Sequence, residues 1–168
     1  MKSFSFGLGM LTELCKDHKL IACREHWLAR SSLNAFNLVH DEFNFFVILG
    51  MDEALLSGFL RGRSFDGVGF LWHKSVSEFV KIISTDPSGR VLALNLNIAN
   101  KSILILNGYF SCFDYSAIYK ADLGLCIDFT EYISDNEHYS DILILGFTNF
   151  PCSESNNVLF NFCIVTII

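Results

Sequence analysis

The sequence predicts a mixed α/β fold with a sheet-on-sheet core covered by helices. Helix–strand units stand at both ends of the chain, and between them four strand-like segments follow one another, separated by turn signals. The composition is oily enough to fill such a core: 51% hydrophobic residues, 17 Phe, only two Pro, and a mean hydropathy of +0.38. A length of 168 residues suits one domain. This much apolar surface collapses in water, so disorder is excluded.

The elements follow in order. Leu8–His18 predicts a helix, because Leu8, Leu11, Leu14 and Cys15 recur at helical spacing. Lys19–Glu25 is a short apolar run ending on charge, the pattern of a buried strand. Ala29–His40 reads as a polar helix with Leu33, Phe36 and Leu38 as its apolar points, and Phe43–Leu49 as a second apolar strand closed by Gly50. Met51–Asp66 reads as a loop. Val68–Trp72, Glu78–Ser84, Arg90–Asn97 and Ser102–Tyr109 are the four successive strands. Their separators are His73-Lys74-Ser75, Asp86-Pro87-Ser88-Gly89 and Ala99-Asn100-Lys101. Tyr115–Ile133 returns to helical spacing through Ile118, Leu123, Cys126, Ile127 and Phe129. Asp141–Phe147 is a further strand, and Ser153–Val165 predicts a last helix with Ser153 as its N-cap.

Charge and cysteines narrow the function classes. A net charge of −6 and a pI near 5.2 disfavour a surface built to coat nucleic acid. An acidic protein can still cut nucleic acid when metal ions supply local positive charge. The longest apolar-rich stretch, Val158–Ile168, is far short of the roughly 20 residues of a membrane-crossing helix. Met1–Gly9 has no apolar core of a secretory signal. The six cysteines form no C-x-x-C pair, and no His lies at zinc-finger spacing from a Cys pair. The expectation is free thiols in a reducing compartment, nuclear or cytoplasmic, not secreted.

Three local features can carry chemistry. Glu25 places a carboxylate at the end of a buried strand, where it serves either as a Mg²⁺ ligand or as an ordinary solvated acid. Tyr109 ends the fourth successive strand, as a hydrogen-bond donor to a phosphate or as core packing with its hydroxyl at the rim. Asn149 follows the strand Asp141–Phe147, as a ligand-binding amide or as a turn former.

The order of these features resembles the endonuclease/exonuclease/phosphatase superfamily. More specifically, it resembles the apurinic-endonuclease-like domain of LINE-type (non-LTR) retrotransposon polyproteins. Leu11–Leu28 resembles that family's helix and strand ending in Gln-Glu-x-Trp-Leu. Arg61–Ser75 resembles its Arg-Gly-Arg-Pro-x-Gly-Gly-x-x-x-Leu-Trp-Arg-Lys stretch, the most element-specific match. Ile103–Ser111 resembles the strand ending in Tyr-x-Pro, and Ile142–Asn149 the strand ending in Gly-Asp-Phe-Asn.

The resemblance implies a four-layer α/β sandwich of the DNase I-like type, here a single partial domain over residues 1–168, incomplete at the C-terminus. It implies metal-dependent phosphodiester hydrolysis, with Mg²⁺ on Glu25 and with Tyr109 and Asn149 at the scissile phosphate. DNA would be the partner, met by Arg61, Arg63 and Lys74. The departures imply lost activity. Arg24 stands in place of Gln, Ser111 in place of Pro, and Phe147 in place of the catalytic Asp. Ser3–Gly9 holds no Asn where the family brings one, and none of the five histidines sits in the family's late Ser-Asp-His motif. The expectation is a truncated, degenerate retrotransposon endonuclease. Its alternative is a non-catalytic binding or interaction module domesticated from such an element. With a covering layer lost, an inner apolar sheet face should drive self-association.

Overall fold

The computed structural model describes residues 2–24, 30–48, 67–85, 89–110, 117–136, 138–148 and 161–165. Helix α1 spans Lys2–Asp17, starting six residues before the helical spacing begins. Strand β1 is Leu20–Arg24, β2 Phe43–Ile48 and β3 Val68–His73. β4 is Val80–Thr85, β5 Val91–Ile98 and β6 Lys101–Phe110. Helix α2 is Ala117–Asn136, followed by β7, Asp141–Thr148, and β8, Asn161–Val165. The expected loop over Met51–Asp66 lies outside the described residues. No described helix is long and apolar enough to cross a membrane.

The strands form two four-stranded sheets, ordered β2-β3-β1-β8 and β4-β5-β6-β7. Alternation along the strands sorts their side chains into three cores. On β1, Ile21 and Cys23 face α1 and pack with Leu11, Cys15, Phe36, Val39 and Phe43. Leu20 and Ala22 face the other way, into a core between the sheets with Phe70, Leu92, Leu94, Leu96 and Ile105. Val91, Ala93, Leu104 and Leu106 point outward, where Ile133 of α2 covers them and Phe129 packs alongside. The layers therefore run helix, sheet, sheet, helix, the four-layer sandwich expected from the sequence.

Local chemistry sets the connections. Thr12 Oγ1 donates to the Val39 carbonyl at 3.2 Å and ties α1 to the segment before β2. That segment, Arg30–Leu38, is a 3₁₀ helix rather than the expected α-helix. Its three-residue period puts Phe36 and Val39 on one face, so Val39 is buried while Leu38 is 81% exposed. A second 3₁₀ helix, Lys74–Phe79, absorbs the start of the strand expected from Glu78. His73 caps it: its Nδ1 accepts from the Ser75 N–H at 3.1 Å. The Ser77 hydroxyl accepts from Asn44 at 2.8 Å and Trp72 at 3.1 Å. This helix carries the chain from one sheet to the other. β3 consequently pairs with β1 and β2, whereas β4, β5 and β6 form an antiparallel meander.

The β5–β6 hairpin turns through Ala99 and Asn100, both at positive φ (50° and 64°), as the tight hairpin turn requires. β6 and β7 pair in parallel, which demands a long crossover, and α2 supplies it. The expected helix Ser153–Val165 is corrected over its last five residues. Asn161–Val165 is a strand, antiparallel to β1 from Leu20↔Val165 to Arg24↔Asn161. β1 is buried and has an edge to fill, and an apolar five-residue run satisfies it as a strand. Residues 153–160 lie outside the described residues.

Candidate functional site

The C-terminal ends of β1, β6 and β7 open at one end of the sandwich, and a single buried side chain fixes that convergence. Asn107 of β6 is fully buried between the sheets. Its Nδ2 donates to the Cys23 carbonyl at 3.1 Å and to the Gly69 carbonyl at 2.9 Å. Cys23 and Gly69 are themselves register partners across β1 and β3. One amide therefore joins the second sheet to two strands of the first. Its Oδ1 is buried with no hydrogen-bond partner among the described residues.

Gly69 itself is tightly packed on the opposite, α1 side of its sheet, where Cys23 and Val47 lie. A Cβ there would collide with the Val47 side chain, stand 3.0 Å from the Phe46 carbonyl and 3.1 Å from Cys23 Sγ. Two residues beyond Asn107, Tyr109 is half-buried and packs against the inter-sheet core. Its N–H donates to the Arg90 carbonyl at 2.9 Å. The parallel register sets Tyr109 beside position 147 of β7. Tyr109 thus combines apolar packing with a place at the strand ends.

Glu25, Asn149, Arg61 and Arg63 lie outside the described residues. Glu25 directly follows the last residue of β1, and Asn149 directly follows the last residue of β7. Both are thus tied by sequence to the end that carries Tyr109. Lys74 is exposed at the other end of β3, where its N–H donates to the Glu42 carbonyl at 2.8 Å. Five residues of extended chain separate it from Gly69, about 16 Å. The structure therefore does not bring Lys74 to the strand ends where Tyr109 and Asn107 sit.

The charge at these ends differs from that of a metal centre. Arg24, the last residue of β1, is a cation only 5% exposed, and it holds interactions of its own. Position 147 supplies a Phe beside Tyr109. Asp141 begins the same strand and is roughly 20 Å away along it. No three metal-ligating side chains cluster among the described residues. A buried guanidinium, a carboxamide and a phenol are poor company for Mg²⁺, which wants carboxylates and water. Glu25, the residue that the resemblance gives to the metal, lies outside the described residues.

Thiol chemistry is also unfavourable here. Burial pushes the Cys15 thiol up to about 11 and the Cys23 thiol up to about 12. Both are free, buried cysteines, and neither is a nucleophile at neutral pH.

Two packed four-stranded sheets between helical layers, with strand ends gathered at one rim, make an α/β sandwich of the DNase I-like type. Solved structures with this fold match the chain. The 3′ phosphatase NExo from Neisseria bound to product DNA hairpin is 17% identical, with a TM-score of 0.53 over 86% of this chain and 53% of its own. Humanized D. rerio TDP2 is 14% identical, with a TM-score of 0.56 over 89% and 61%. The 3′-5′ exonuclease NExo from Neisseria meningitidis is 16% identical, with a TM-score of 0.54 over 88% and 54%. The chain thus matches little more than half the length of these structures. No family model and no curated protein matches it.

Proposed function

We propose that this chain is a retrotransposon-derived, LINE-type endonuclease-like domain that has lost phosphodiester hydrolysis. The fold supports the ancestry, as do the 3′ phosphatase and 3′-5′ exonuclease that share it. The element-specific stretch Arg61–Ser75 supports the LINE assignment. The observation that carries the loss is the β6–β7 register. It sets Phe147 beside Tyr109, where the resemblance calls for a catalytic Asp. A phenyl ring has neither the charge nor the acceptor oxygens that orient an attacking water. Buried Arg24, one residue before Glu25, further opposes a divalent cation there.

DNA is the partner this reading implies, with Arg61 and Arg63 as its contacts. Lys74 would reach DNA only on a surface away from the strand ends. Buried free thiols at Cys15 and Cys23 favour a reducing compartment, nuclear or cytoplasmic.

Plasmid nicking in Mg²⁺ tests the reading. The wild-type chain and Glu25→Ala should both match the protein-free background. Mg²⁺-dependent nicking by the wild type that Glu25→Ala abolishes would restore the enzyme. Titration calorimetry gives a second readout, with no Glu25-dependent Mg²⁺ binding expected.

A further inference from the structure

The sequence holds a single Asn-Gly pair, and it is Asn107-Gly108, at the amide that joins the two sheets. An Asn side-chain amide is open to attack by the main-chain nitrogen of the next residue. Gly hinders that attack least, because it has no side chain and the widest backbone freedom. In the attack the residue 108 nitrogen bonds to Asn107 Cγ and gives its proton to solvent. The Cγ–Nδ2 bond breaks and ammonia leaves. Water then opens the cyclic imide at either carbonyl. The product is aspartyl, or isoaspartyl with the main chain routed through the side-chain carbons. The net change is amide plus water to carboxylate plus ammonium, with no oxidant or reductant.

The fold withholds what that step needs. Asn107 and Gly108 are both buried, which keeps water from them. Nδ2 donates to the Cys23 and Gly69 carbonyls of the other sheet, so the amide is held across the inter-sheet space and off its own main chain. Gly108 is in register with Val91 of β5 on one side and Gly146 of β7 on the other. Ring closure requires the main chain at 107–108 to rotate out of its extended form, and strands on both sides oppose that rotation. Negative charge develops on Oδ1 as the nitrogen adds. That oxygen is buried with no donor among the described residues, so the intermediate gains no stabilisation from the fold.

We propose that Asn107-Gly108 is a latent modification site, inert in the folded domain and converted to aspartyl or isoaspartyl when the two sheets come apart. The conversion bars the way back. A carboxylate at 107 cannot donate to either carbonyl and sets its oxygens against theirs. The isoaspartyl form adds a carbon to the main chain inside β6, which throws the residues after it out of register with β5 and β7. Folding and modification therefore compete for one side chain, and a chain left open is marked permanently. The inference is independent of whether phosphodiester chemistry survives.

Peptide mass spectrometry of the full chain tests it. The protein is held with reductant at mildly alkaline pH, in native buffer and in guanidinium chloride, and then digested with trypsin. The tryptic peptide 102–120 contains one Asn, so its gain in mass reports Asn107 alone. Conversion should be at least about a hundredfold faster in guanidinium chloride than in native buffer, because only opened molecules react. After dilution from denaturant, the modified peptide should be depleted from the refolded fraction isolated by gel filtration. Gly108→Ala, compared in denaturant where its effect on folding plays no part, should slow conversion severalfold. Equal rates in the two buffers overturn the proposal, as does a denatured chain that stays unmodified. Modified chains that refold as fully as unmodified ones overturn it too, and so does a Gly108→Ala chain that converts as fast as the wild type.

Discussion

Asn107 is a polar side chain placed where every neighbour on its face of the strand is apolar, and its two hydrogen bonds justify the placement. Both acceptors are main-chain carbonyls, so the amide nitrogen must face them, and the orphaned Oδ1 is the consequence. Asn107→Ala should cost about 2–3 kcal/mol, from the lost bonds and the space left behind. Asn107→Asp should cost more, because a carboxylate cannot donate to either carbonyl. Urea denaturation midpoints measure both, and losses under about 0.5 kcal/mol would remove the clamp from the account. The sequence makes Tyr109 and its neighbours visible as a strand end but not the role of Asn107. Its partners are 38 and 84 residues away, and only the packed sheets bring them to it. Arg24 is legible as a departure from Gln. Its burial is not, because an Arg at a strand end is usually solvated.

At the scale of elements, spacing identifies strands where both faces are buried or alternation is regular. β5 shows it most clearly: Leu92, Leu94 and Leu96 face the inter-sheet core, and Val91 and Ala93 face α2. Short apolar runs are harder. Asn161–Val165 fits a helix or a strand by pattern alone, and the open edge of β1 decides it. The 3₁₀ helix after β3 depends on the His73 cap and the Ser77 hydroxyl, contacts that hydrophobic spacing does not encode. The turn Ala99-Asn100 was legible as a turn, yet its sequence is not optimal. Asn tolerates positive φ, whereas Ala99 at φ 50° sets its Cβ against the backbone. Ala99→Gly should therefore stabilise the hairpin, by about 0.5–1 kcal/mol after the extra freedom of glycine in the unfolded chain is counted. A melting temperature that falls instead would show that the turn is not under this strain.

For the whole molecule, the layer order is legible because helical spacing at both ends brackets a run of strand segments separated by turn signals. The division of strands between sheets is not. β3 and β4 are neighbours in sequence, yet they belong to different sheets. The 3₁₀ helix Lys74–Phe79 makes that division, because it carries the chain from the end of β3 in the first sheet to the start of β4 in the second, and its cap and hydroxyl contacts are not written in hydrophobic spacing.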